Sequence, residues 1–272
     1  MRIFLLTGYS KRYFYLVENL QNKHTICGMA VQKAKPSDKP VINPYENDRL
    51  YQKHFKLRDD TENYYYKGIN PDNILENIPH VFVDCDTLNQ DRTVNYIRKC
   101  RPDVLISFGV TYLKKDILEI CPDNSYNIHN GLVPWYKGSS AHFWAFYFLE
   151  PTYAGCTFHK LARRLDGGEV VHQCVGKLEI GDGLHDVSCK SLMLMSEDIC
   201  RLMDILDVEG KLNSTPQKGH GRMYLNKDFR PEHLRLIYEM YDNKIVDEYL
   251  KGNINCGIPD LINGLKYEGG LL

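Results

Sequence analysis

RIFLLTGYSKRYFYLVENLQNKHTICGMAV, residues 2–31, sets the fold class. Arg2 to Leu6 is a short apolar run that ends in Thr7-Gly8, the pattern of a buried parallel strand and a tight turn. Ser10 stands where a cap would open a helix over Lys11 to Gln21, with Phe14, Val17 and Leu20 on one face. His24 to Val31 reads as a second strand. A β-α-β opening predicts an α/β protein with a doubly wound, mainly parallel, Rossmann-like sheet.

The rhythm breaks over residues 35–78, which carry Pro36, Pro40, Pro44, Pro71 and the run Tyr64-Tyr65-Tyr66. This reads as an insertion with helix around Asp48 to Tyr66, too aromatic for a spacer. Strands are expected at Val81–Val83, Val104–Ser107, Tyr126–His129, Cys156–Ala162 and Val170–Val175. Helices are expected at Asp91–Cys100, Lys114–Ile120, Ser140–Leu149 and Asp186–Leu206. The last is a core stripe rather than a cofactor box. A catalytic unit over 1–209 and a small C-terminal extension over 210–272 follow. The extension reads as a hairpin plus an amphipathic helix from Pro231 to Leu250, with Pro231 in the first turn. That helix suits either a homodimer contact or packing on the core.

Composition removes several function classes. The chain has 272 residues and a formal charge of −1, so no global positive field draws polyanions. Its nine cysteines form no C-x-x-C pair, which argues against zinc ribbons and thioredoxin motifs and for reduced, mostly buried thiols. No apolar run is long enough for a signal core or a membrane span. A cytoplasmic protein without membrane insertion is expected. Gly8 has no G-x-G-x-x-G around it, which argues against a dinucleotide-dependent oxidoreductase.

Two segments carry chemistry: Asn127-Ile128-His129-Asn130-Gly131-Leu132-Val133-Pro134-Trp135-Tyr136-Lys137-Gly138, and Gly155-Cys156-Thr157-Phe158-His159 running on to Leu165-Asp166-Gly167-Gly168-Glu169. On a strand, Asn127 and His129 share a face, so an amide and an imidazole can both address one carbonyl oxygen. Asp166 precedes two glycines at a turn able to present a carboxylate into a cleft. Each has a plainer reading: a strand-edge amide, a satisfied core histidine, a turn former. His142, His159 and His172 are left as structural or surface. Lys11-Arg12 reads as a solvated helix start with some claim on phosphate.

The ordered set Asn127, His129, Pro134, Lys137, Gly138, Gly155, Thr157, Asp166 and Gly168 resembles the N10-formyltetrahydrofolate-dependent formyltransferases. Agreement is clear from about Arg101 to Val175. It departs at Gly131, where that family commonly has Ser, and a glycine there is similar to some nucleotide-sugar members. The run 127–138 and Lys227-Asp228-Phe229 look like the GDP-perosamine N-formyltransferase type.

The resemblance implies a formyltransferase with Asn127, His129 and Asp166 as catalytic residues, N10-formyltetrahydrofolate as cosubstrate and no metal. Asn127 and a protonated His129 would stabilise the charge that builds on the formyl oxygen, while Asp166 orients His129 and helps take the amine proton. It places the folate between the strand end at Phe108, Gly109, Val110 and Leu113 and the turn at Leu165 and Gly167, rimmed by Trp135, Tyr136, Lys137 and Gly138. It places the acceptor near Gly8, Tyr9, Ser10 and Lys11, at the carboxyl end of the first strand. The implied acceptor is a nucleotide-linked amino sugar, GDP- or dTDP-linked, for surface polysaccharide (O-antigen) synthesis. A nucleic-acid substrate is disfavoured, since a methionyl-tRNA formyltransferase wants a basic surface and an added barrel. That enzyme and a non-catalytic nucleotide-sugar-binding protein are the alternatives.

Overall fold

A computed structural model describes residues 1–33, 44–219 and 221–266. The opening stretch folds as its pattern dictates. β1 (Arg2–Gly8) leads into α1 (Lys11–Gln21) and then β2 (Thr25–Gln32), parallel to β1. Ser10 precedes the helix, but its hydroxyl makes no cap and is buried without a partner, a correction to the expected side-chain cap.

β3 (His80–Val83), β4 (Val104–Phe108), β5 (Ser125–His129), β7 (Cys156–Lys160) and β8 (Val170–Cys174) complete a seven-stranded sheet in the order β3-β2-β1-β4-β5-β7-β8. The first five strands in that order are parallel, and β7 and β8 add antiparallel pairs. The chain reverses direction of winding between β1 and β4. Such a switch point opens a crevice at the strands' carboxyl ends.

Helices cover both faces. α1 packs on α7 (Leu184–Glu209), which lies against β7 and β8. Phe14, Val17, Met195, Ile199 and Met203 form the core on that face. α4 (Asp91–Cys100) covers the other, where Leu6, Ala30, Val94, Ile97 and Leu105 are buried together. The insertion contributes α2 (Arg49–Tyr65), capped by Asp48 accepting from Leu50 and Tyr51 N–H, and α3 (Pro71–Leu75). Residues 34–43, with the start of the expected insertion, lie outside the described residues. α5 is the short Lys115–Leu118, and α6 spans Ala141–Tyr147.

After Glu209 the structure departs from the expected hairpin. β9 (Arg222–Tyr224) pairs in parallel with β6 (Tyr136–Gly138), a partner distant in sequence. The expected single helix is also broken. α8 (Pro231–Arg235) passes into a π turn (Leu236–Met240), and α9 (Ile245–Leu250) is separate. Asp242 and Asn243 adopt left-handed φ of 48° and 60°, which ends a helix and which short polar side chains tolerate. Asn243 Oδ1 then accepts from Leu184 N–H at the start of α7 (3.3 Å). Leu234, Ile237, Ile245 and Val246 join Phe143, Trp144 and Phe146 of α6 in a third core, where Trp144 stacks on Tyr224 at 4.3 Å. No helix among the described residues is long and apolar enough to cross a membrane.

Candidate active site

β5 and β7 run antiparallel with Asn127 opposite His159 and His129 opposite Thr157. Residues two apart on a strand share a face, so four polar side chains from two strands converge. Thr157 is fully buried; its hydroxyl donates to the Gly131 carbonyl (2.7 Å) and accepts from Val133 N–H (3.2 Å). That pins the loop following His129, which contains a cis peptide at Val133–Pro134.

The Asn127 amide is held at both ends. Ser107 on the neighbouring β4 donates its hydroxyl to Asn127 Oδ1 (2.7 Å). His159 Nδ1 donates to the Lys160 carbonyl (2.8 Å), leaving Nε2 as the acceptor for Asn127 Nδ2 (3.1 Å). One amide proton of Asn127 is thereby left for a ligand. Burial pushes His159 down to about 4, so its ring is neutral as this acceptor role requires.

Asp166 sits at a left-handed φ of 46° on the turn after β7, a conformation Asp accepts at low cost. Its Oδ2 accepts from Gly138 N–H (2.7 Å) and lies 3.6 Å from His129 Nδ1, and its Oδ1 lies 3.9 Å from His159 Nε2. A buried carboxylate thus stands between two imidazoles. His129 Nε2 donates to the Tyr136 carbonyl (2.9 Å), which fixes the proton on that nitrogen and turns Nδ1 to the carboxylate. The ring's outward proton is therefore engaged with backbone here. Gly131 leaves room for this bond, because a Cβ there would stand 2.6 Å from His129 Nε2 and 2.5 Å from Ala141 Cβ.

These groups form one wall of a cavity of about 590 Å³, within the range of small-molecule sites. Its lining includes Phe108, Gly109, Val110, Leu113 and Leu165 of the expected folate set, and Gly138 as well. Gly109 has a φ of 70°, and a Cβ there would strike the Tyr13 ring at 2.3 Å, so only glycine closes the strand end this tightly.

Trp135, Tyr136, Lys137 and Gly167 are not among the lining residues. Trp135 packs edge-on against Tyr153, and the Tyr136 hydroxyl is buried against Glu150. Lys137 is buried, and burial and Arg164 push its ammonium down against the pull of Asp166. Gly8, Tyr9, Ser10 and Lys11 also stand off the cavity: Tyr9 bonds Asp72 (2.5 Å), Lys11 bonds Asn63 (2.7 Å), and Gly8 lies under the Tyr13 ring. The next two residues, Arg12 and Tyr13, line it instead, because the first turn of α1 rather than the strand end faces the crevice.

Other groups in and around the site escape the sequence pattern. His159 belongs to the ordered Gly-x-Thr-x-His stretch, and its cross-strand partner follows from pairing β5 with β7. Gln217 has no such signal, yet its amide donates to the Asp166 and Gly168 carbonyls (2.7 and 2.8 Å) and steadies that turn. His142 bonds the Gly155 carbonyl and Ser188, and burial holds it down at about 4. His172 lies elsewhere, donating to Asp198 (2.9 Å) and accepting from Gly264 N–H. Cys174 stands close by, but both His172 nitrogens are spent, a structural pair rather than a ligand set.

The sequence model of the formyl transferase family matches residues 22–193, more than half of the chain. The chain belongs to the formyl transferase family.

The chain is 28% identical over 123 residues to the bifunctional polymyxin resistance protein ArnA of Wigglesworthia glossinidia brevipalpis, covering 45% of this chain and 18% of that protein. The chain thus spans under a fifth of that curated relative. Among solved structures, PseJ of Anoxybacillus kamchatkensis, determined with UDP-4,6-dideoxy-4-formamido-L-AltNAc and tetrahydrofolate, is 21% identical with a TM-score of 0.51, over 90% of this chain and 96% of that one. Glycinamide ribonucleotide transformylase 1 of Symbiobacterium toebii is 15% identical with a TM-score of 0.54, over 80% and 94%. At these identities the likeness is one of fold.

Proposed function

We propose that this formyltransferase moves the formyl group of N10-formyltetrahydrofolate to the amino group of a nucleotide-linked amino sugar. The observation that carries the reading is the convergence of Asn127, His129 and Asp166 on the cavity wall. The folate fits the lobe of Phe108 to Leu113 and Leu165, where backbone groups at the strand end bind a pterin. The acceptor fits the lobe of α1, α2 and α7. The catalytic unit is residues 1–209, and the extension over 210–272 completes the acceptor lobe with Asn226 and Phe229.

The chemistry follows from the groups present. The neutral amine's lone pair forms the bond to the formyl carbon, and the C=O π pair passes to the formyl oxygen. The free Asn127 amide proton stabilises that charge, and the formyl oxygen replaces the Tyr136 carbonyl as acceptor of the His129 N–H. Asp166 takes the amine proton. Collapse restores the carbonyl and expels the folate nitrogen, which is protonated. Holding donor and acceptor across one wall supplies much of the remaining acceleration.

The sugar acceptor is supported by the PseJ likeness, which runs over more of this chain than the ribonucleotide transformylase likeness does. A GDP- or dTDP-linked sugar destined for surface polysaccharide, formylated in the cytoplasm, is the reading in full. The test is turnover of N10-formyltetrahydrofolate with a panel of acceptors. Release of tetrahydrofolate with a nucleotide amino sugar alone supports it. Turnover with initiator methionyl-tRNA or an aminoribonucleotide, and with no sugar, overturns it.

A further inference from the structure

His54, Arg58 and Glu62 recur every four residues and so share one face of α2, which lines the acceptor lobe. Glu62 pairs with Arg12 of α1 and lies 3.9 Å from Arg58 Nε. One carboxylate thus serves two guanidinium groups. Burial pushes Glu62 up and the two arginines pull it back. Arg58 also meets Asp59 (2.8 Å), which is 60% exposed and stands off the cavity, a contact that water weakens. Arg12 Nε is buried without a partner, and a stranded guanidinium N–H is costly unless something in the cavity accepts it. Planar guanidinium groups match phosphate oxygens in pairs.

About one helix turn before Arg58, His54 begins a buried chain. Its Nδ1 meets the Tyr238 hydroxyl (2.8 Å), which meets His185 Nε2 (3.3 Å). Burial holds His54 at about 3 and His185 well below its usual value, so both rings are neutral. His54 Nε2 has no protein partner among the described residues and is not among the buried unpartnered atoms; it opens on the cavity. In a neutral His–Tyr–His chain the protons shift together. Nε2 then serves as donor or acceptor, which suits a hydroxyl group. Phe55 and Phe229 pack on the ring at 5.0 and 5.5 Å and keep it in place.

We propose that α2 is the acceptor-recognition helix, with Arg58 and Arg12 holding a phosphate of a nucleoside diphosphate and His54 holding a hydroxyl of the attached sugar. This rests on the nucleotide-sugar reading above. Tyr238 is a positioning residue acting through His54.

The test is steady-state kinetics of Arg58→Ala and Tyr238→Phe, with calorimetric titration of GDP, dTDP and UDP in the absence of folate. Arg58→Ala raises KM for the nucleotide amino sugar about tenfold or more, and Tyr238→Phe raises it severalfold, while folate KM stays constant. Unchanged acceptor KM in both variants, or an equal rise in folate KM, overturns the proposal. Diphosphate binding to wild type that weakens in Arg58→Ala supports the site even where no amino sugar is turned over, in which case the transfer reading alone fails. No binding of any nucleoside diphosphate overturns the site and leaves formyl transfer to another amine standing.

Discussion

Asn127 Nδ2 donates to His159 Nε2 at 3.1 Å, across paired positions of β5 and β7. The pairing makes a neutral histidine the rest that aims the Asn127 amide, which the proposed mechanism uses as an oxyanion donor. In His159→Leu the amide loses one of its two anchors, while Ser107 remains. We expect kcat to fall roughly tenfold to a hundredfold with both KM values little changed, short of the 10²–10³ loss typical of deleting an oxyanion donor. A rise in KM at constant kcat contradicts the positioning role.

Asp166 provides a cleaner test as Asn than as Ala. Its left-handed φ suits Asn, and an amide oxygen can still accept from Gly138 N–H (2.7 Å). Asp166→Asn therefore keeps the fold and loses the proton acceptor. Its kcat should drop at least about a hundredfold at an unchanged melting temperature. Activity within a few-fold of wild type removes Asp166 from the chemistry.

Gly131 stands in the tight loop that follows His129. A side chain there meets Ala141, His129 Nε2 and the Tyr136 carbonyl, all within 2.8 Å. Gly131→Ser should destabilise the protein by about 1–3 kcal/mol, the usual range for overpacking, and displace His129. Denaturant unfolding and kcat should fall together. A serine variant with wild-type stability shows that the loop has room the geometry denies it.

Acid should unfold the protein early. His54, His142, His159 and His185 are buried neutral, with folded values of about 3, about 4, about 4 and well below the usual one. Between their ordinary value of 6.5 and those lowered values the unfolded chain binds protons that the folded chain does not. Stability therefore falls as pH drops below about 6.5, by roughly 1.4 kcal/mol per pH unit for each histidine. Urea midpoints measured from pH 7.5 to 5 should decline steeply. A flat profile contradicts neutral burial.

The central sheet was legible because each strand is a short apolar run and each helix carries its own period. The closeness of Asn127, His129 and Asp166 could be expected because the first two share a face of one strand, β5, and the third sits on a turn in the motif's order. What escaped is long-range. Nothing local pairs β9 with β6, or brings Gln217 onto the Asp166 turn. The expected acceptor residues Gly8 to Lys11 stand off the cavity and Arg12 with Tyr13 line it, since the phase of a helix's first turn is set by packing against α7 and α2. The break at Asp242-Asn243 was written in residues that favour turns, but an amphipathic period on either side masked it.

The most direct test is transfer of an isotope-labelled formyl carbon in a single turnover. Enzyme in excess is mixed with labelled N10-formyltetrahydrofolate and a nucleotide-linked amino sugar, and the carbon is followed by NMR. The account predicts that the label appears as a formamide on the sugar nitrogen, and that Asp166→Asn slows this while the folate still binds. Label that stays on the folate, or leaves as formate at the same rate with and without the amino sugar, contradicts it.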